Sequence, residues 1–148
     1  MKVCVTSYSF NKLMKRGEMT QLGTVKAASE LGFDAIEFSG IVPHDGSSEI
    51  EYAKKLREEA DRYSLPIVSF VCGADLINGR DGRSAEEEVA HVKGMVDIAA
   101  ILGVKTMRHD VLYSLGEYKS FDALLPTLAK RVSEIAEYAK TKQNVILH

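Results

Sequence analysis

Tryptophan is absent from this 148-residue chain, cysteine occurs twice and proline three times. With so little proline and no low-complexity segment, the chain is neither a proline-rich spacer nor a disordered tail. Cys4 and Cys72 lie far apart in no metal-like spacing, which argues against a disulfide scaffold or a zinc module and for two reduced core thiols. No apolar run reaches membrane length, and the first residues pass into polar sequence without the apolar core of a signal peptide. The expectation is a cytoplasmic protein with no membrane partner. An excess of either charge is also missing: 19 Lys and Arg against 21 Asp and Glu give a net charge of -2. A chain without a basic field is a poor ligand for phosphate backbones, so nucleic acid is not an expected partner.

What the chain does have is an ordinary globular composition, 45% hydrophobic and 27% charged, enough to bury a core within one domain over residues 1–148. Residues 2–8 read as a first β-branched strand, and Ser7 to Asn11 lead into a polar loop. A helix from Thr20 carries Leu22, Val25, Ala28 and Leu31 and stops at Gly32; Phe33 to Phe38 form strand two. Ser48 with Glu51 is a capping box, opening a helix whose apolar stripe is Ile50, Ala53, Leu56, Ala60 and Tyr63. Pro66 ends that unit, and Ile67 to Cys72 is a nearly continuous apolar run, as expected of a strand covered on both faces. Ser84 with Glu87 opens the next helix, lined by Val89, Val92, Val96 and Ala99 and stopped at Gly103.

Val104 to Met107 then runs as strand four into Arg108, His109 and Asp110. A fourth helix near Ser120 or Asp122 turns Leu124, Leu128, Val132, Ile135 and Ala139 inward, with Pro126 close to its first turn, and Asn144 to His148 begin a fifth strand. Strand onsets recur at steps of 30 to 40 residues, the spacing of parallel strand-helix units. The fold class is therefore α/β. Two parallel architectures accommodate about five strands and four helices: a flavodoxin-like open sheet, or part of an eightfold barrel. Length favours the sheet. The absence of a glycine-rich phosphate loop after strand one, and of a helix to cover strand five, favours the barrel.

The segments Leu31-Gly32-Phe33-Asp34-Ala35-Ile36-Glu37-Phe38, Leu65-Pro66-Ile67-Val68 and Ala100-Ile101-Leu102-Gly103-Val104-Lys105-Thr106-Met107-Arg108 carry a resemblance. In order and spacing they resemble the amino-terminal half of the sugar phosphate isomerase/epimerase family of xylose-isomerase-like TIM barrels. The resemblance implies a partial (β/α)8 barrel and, in a full-length protein, metal-assisted proton transfer on a sugar or sugar phosphate. It also implies a divalent metal, Mn, Mg, Co or Zn, held by carboxylates and histidine on the later strands, beginning with a Glu at the end of strand five. Val145 to His148 show no such Glu, so none of those ligands is assigned and the chain alone is expected to be inactive.

The substrate side remains. Glu37 at the end of strand two is a candidate for orienting a substrate hydroxyl or assisting proton transfer; a rim ion pair or hydrogen bond is the competing reading. His109 is the second catalytic candidate, as a proton carrier or as a metal ligand of the kind related barrel nucleases place at the end of strand four. Its plainer reading is a packed histidine bonded to a backbone carbonyl. Strand alternation allows only one or two of Arg108, His109 and Asp110 to face the axis, with His109 expected inward. Arg108 and Asp110 are candidate substrate-binding residues or a rim salt bridge, and Tyr8 and Phe10 candidate pocket walls. Two other readings compete: a non-catalytic half-barrel forming a homo-oligomer through exposed strand edges, and an abasic-site endonuclease-like barrel.

Overall fold

The computed structural model describes residues 1–142 and the backbone of a two-residue strand at Ile146–Leu147. The other residues of the expected fifth strand, Asn144, Val145 and His148, lie outside the described residues. Strands β1 (Cys4–Thr6), β2 (Ala35–Ser39), β3 (Ile67–Cys72), β4 (Thr106–His109) and β5 (Ile146–Leu147) form one sheet in the order β1-β2-β3-β4-β5. Every pairing is parallel. The helices are α1 (Asn11–Lys15), α2 (Gln21–Glu30), α3 (Glu49–Arg62), α4 (Ala85–Leu102) and α5 (Phe121–Lys140).

That strand order decides between the two architectures. A flavodoxin-like sheet must reverse direction, 2-1-3-4-5, and so places helices on both faces. Here each crossover advances one strand in the same direction, and α2 packs on α3, α3 on α4 and α4 on α5. All four long helices share one face. The chain is a partial TIM barrel, and the other face of the sheet looks toward the barrel axis.

The local signals behave as their chemistry requires. Ser48 and Ser84 each accept the N–H three residues on, while Glu51 and Glu87 reach back to the cap N–H, completing both capping boxes. Gly103 ends α4 at φ 72°, a left-handed conformation; a Cβ there would also strike the Arg57 guanidinium, which donates to the Leu102 carbonyl at 3.0 Å. Val89, Val92, Val96 and Ala99 of α4 are buried with Leu124, Leu128, Ile135 and Ala139 of α5.

Several expectations are corrected. The first strand ends at Thr6, and the expected loop after it is a 3₁₀ turn, Ser7–Phe10, running directly into α1, so there are five α-helices among the described residues instead of four. In α3 the first buried residue is Tyr52, fully enclosed, and Ile50 is half exposed; the inward stripe begins two residues later than the apolar pattern indicates. Pro126 is the sixth residue of α5, in its second turn, where it withholds an N–H from the Asp122 carbonyl. The apolar run of β3 is covered on one face: Phe70 and Cys72 are buried under the helices, Ser69 and Val71 line an open cleft on the other, and Val68 is exposed at a register shift opposite β2.

Candidate functional site

Side chains paired across a parallel sheet share a face, so the register assigns the axis-facing set. Thr6 pairs with Glu37 and Glu37 with Ser69; one step further, Ser39 pairs with Val71 and Val71 with Arg108. These residues, with Tyr8, line a cleft of ≈ 400 Å³ toward the carboxyl ends of the strands, where parallel barrels build their sites. The alternate residues Val5, Ile36, Phe38, Phe70, Met107 and His109 are buried on the helix side.

Of the sequence candidates, the fold brings together Tyr8, Glu37 and Arg108 in this cleft. Asp110 stands beside them, taking Arg108 Nη1 on one carboxylate oxygen at 3.2 Å and the Tyr113 hydroxyl on the other at 3.0 Å. Phe10 does not line the cleft and packs against the core. The expected orientation of the strand-four triplet is reversed: Arg108 faces the axis, and His109 is turned to the helix side, its Nδ1 2.8 Å from the Asp110 carbonyl oxygen. The reason is register, since His109 pairs with Cys72, and Cys72 follows the buried Phe70 by two residues.

Burial pushes the Cys72 thiol up to about 12, with the Asp110 and Glu88 charges adding to the effect, so this cysteine is no nucleophile. Cys4 is exposed; its thiol is raised first by partial desolvation and then by the Glu37 carboxylate. Tyr113 is also raised, by desolvation and then by its hydrogen bond to Asp110, and so stays a neutral donor at ordinary pH.

Sequence reasoning missed what holds the rim in place. Asp75 is buried and accepts from the backbone N–H groups of Ile77, Asn78 and Tyr113 and from the Asn78 amide. Burial works against its charge, but the Asn78 side chain and then the three backbone donors outweigh it and hold the carboxyl below the usual carboxylate range. Asp75 thereby ties the β3–α4 loop to the β4–α5 loop and aims Tyr113. Its own N–H donates to the fully buried Glu88, whose other oxygen takes Arg83 Nε at 2.6 Å. Gln21 performs a similar task next door: its amide donates to the Gly40 carbonyl and accepts the Val42 N–H, both at 2.9 Å. Ser7 accepts the Ser39 N–H at 2.9 Å and locks the ends of β1 and β2 together. None of these carries a motif; an Asp-x-x-Asn pair opening a loop was the one available signal.

A scan against protein-family models matches residues 25–148 to the xylose isomerase-like TIM barrel. The chain belongs to that family. An L-ribulose 3-epimerase structure is similar to it, with a TM-score of 0.72 at 19% identity over 100% of this chain and 49% of the other. The D-psicose 3-epimerase of Clostridium cellulolyticum H10, solved with D-tagatose, gives 0.71 at 14% identity, covering 99% and 51%. The IolI protein, solved with a zinc atom, gives 0.67 at 19% identity, covering 99% and 51%. At such identities these likenesses show the fold alone, and the chain spans about half the length of these structures. Among curated proteins no sequence match is found.

A divalent metal is a feature of at least one of these neighbours, IolI with its zinc. Among the described residues of this chain, no three His, Cys, Asp or Glu side chains gather into a set able to hold a metal ion. The donor set present here does not fit one, and no step is derived through it. No helix among the described residues is long and apolar enough to cross a membrane.

Proposed function

We propose that this chain supplies the substrate-binding wall of a sugar isomerase or epimerase site. The observation that carries the reading is the placement of Glu37 and Arg108 on strands flanking β3, on one face, over a polar cleft also lined by Thr6, Ser39 and Ser69. An acceptor and a charged donor separated by hydroxyls match the row of hydroxyls and the single carbonyl oxygen of an open-chain ketose. Glu37 accepts from a substrate hydroxyl and holds or moves its proton. Arg108, its guanidinium oriented by Asp110, donates to a substrate oxygen. Tyr8 offers an aromatic face to the sugar's C–H groups. The epimerase neighbours support a sugar as the ligand.

The test is a titration of the chain with D-fructose, D-psicose and D-tagatose, followed by backbone amide NMR. Saturable shifts clustered at Glu37, Ser39, Ser69 and Arg108, lost in Glu37→Gln and Arg108→Met, support the reading; no shifts on the axis face overturn it. Turnover by the chain alone with Mn²⁺, Mg²⁺ or Co²⁺ would overturn the restriction to binding.

A second reading, assembly of copies into a homo-oligomer, draws on the open edge of β1, which pairs only with β2 among the described residues, and on the exposed Val3 and Val68. A strict monomer in sedimentation at high concentration removes it.

A further inference from the structure

We propose that Tyr113 and Arg80, neither of which lines the cleft, are positioning residues for Arg108: they hold the Asp110 carboxylate in place, and Asp110 presents the Arg108 guanidinium to the ligand. The inference rests on the polyol-binding reading of the Glu37–Arg108 cleft and adds the residues that prepare one of its two charged groups.

The four side chains form one directed row. Arg80 Nη1 donates to the Tyr113 hydroxyl at 2.8 Å, and the hydroxyl donates to one Asp110 oxygen at 3.0 Å. The other Asp110 oxygen takes Arg108 Nη1 at 3.2 Å. A guanidinium only donates and a carboxylate only accepts, so the phenolic proton is committed to Asp110 and the direction of the row is fixed. Of the four, Arg108 alone lines the cleft.

The hydroxyl also separates two cations that would otherwise compete. Arg80 and Arg108 approach the same carboxylate from the two ends of the row. With the phenol between them, Arg80 is satisfied by Tyr113, and Asp110 keeps one oxygen for Arg108. Without the hydroxyl, Asp110 is free to turn toward Arg80, and Arg108 loses its ion-pair partner. Arg80 has a further anion in Asp81, 3.3 Å from its Nε, whereas Arg108 has no second one among the described residues.

The row is seated by the backbone on which it lies. Gly73 follows β3, and a Cβ there would collide with Arg80 Nη1 and stand 2.6 Å from the Tyr113 hydroxyl oxygen. The missing side chain is the space that the Arg80–Tyr113 pair fills. The Arg80 guanidinium also lies over the Tyr113 ring, 5.3 Å from its centroid, and the Tyr113 N–H is held by Asp75 at 3.2 Å. Two loops, β3–α4 with Arg80 and β4–α5 with Tyr113, therefore meet in front of Gly73 to place one guanidinium on β4.

The experiment measures ¹⁵N relaxation at Arg108 Nε–H in the ligand-free chain, then D-fructose affinity, in Tyr113→Phe, Gly73→Ala, Asp110→Asn and Tyr113→Phe/Asp110→Asn. Phenylalanine keeps the ring beneath Arg80 and the backbone bond to Asp75, so the urea midpoint of Tyr113→Phe should match the parent's. Gly73→Ala displaces the end of Arg80 and the phenol at a position whose φ is not positive. Tyr113→Phe and Gly73→Ala should each lower the Arg108 order parameter below about 0.6 and weaken fructose binding about five- to tenfold. In the Asp110→Asn background, Tyr113→Phe should cost no further affinity, since residues acting through one carboxylate are not additive. Additive losses in the double variant, or an Arg108 order parameter unchanged in Tyr113→Phe, overturn the positioning role and leave the polyol reading standing. A parent chain that binds no sugar overturns the polyol reading, and the ligand-free order parameters then decide the positioning role by themselves.

Discussion

Arg108 and His109 are consecutive in the chain and lie on opposite faces of the sheet, Arg108 over the open cleft and His109 beneath the helices. Their substitutions should therefore separate. His109→Ala removes a packed ring and its bond to the Asp110 carbonyl, and is expected to cost about 1–3 kcal/mol of folding free energy. Arg108→Met, on a half-exposed side chain paired only at the surface, should stay within about 0.5 kcal/mol while weakening sugar binding. Urea unfolding of both variants measures the split.

Gln21→Ala should loosen the β2–α3 loop. The substitution leaves the Gly40 carbonyl and Val42 N–H without partners, an expected loss of about 2–3 kcal/mol in a partly buried setting. Limited proteolysis should then cut between residues 40 and 47 faster than in the parent chain. Unchanged cleavage would mean that the loop is held elsewhere.

Asp75 should give the acid limb of stability a definite shape. Its folded carboxyl is held below the ordinary value of 3.8, so its contribution is fully present above that value and is lost as pH falls toward the folded one. Asp75→Asn should therefore be destabilised by a constant amount near neutral pH, with the gap to the parent narrowing only below about pH 4. A gap that closes between pH 5 and 7 would implicate a different group.

The two thiols should differ sharply. Cys72, buried and pushed up to about 12, should resist alkylation until the protein unfolds. Cys4 should react in the folded state at mildly alkaline pH. Glu37→Gln should accelerate that reaction, because the Glu37 charge is one cause of the raised Cys4 thiol. Rates from mass spectrometry after iodoacetamide quenching decide both points.

Much of the local structure was legible because its causes are local. Thr20, Ser48, Ser84 and Ser120 cap helices by hydrogen bonds spanning three residues, and Gly32 and Gly103 adopt positive φ just past α2 and α4. The candidate site was legible only in part. Glu37, Arg108, Asp110 and Tyr8 mark themselves as polar or aromatic residues near strand ends. Ser39 and Ser69 do not, since nothing within a few residues of each indicates which surface it shares.

The sequence by itself determined the alternation of strand and helix, the places where helices begin and end, and the resemblance to a barrel half. Tertiary structure alone decided the strand order, which separates a barrel wall from a doubly wound sheet, and the face on which each strand residue stands. A strand's period of two assigns neighbours to opposite faces without saying which face is the buried one. That choice was made by packing: Cys72 and Phe70 lie under α4, their register partner His109 follows them, and Arg108 is left to face the cleft.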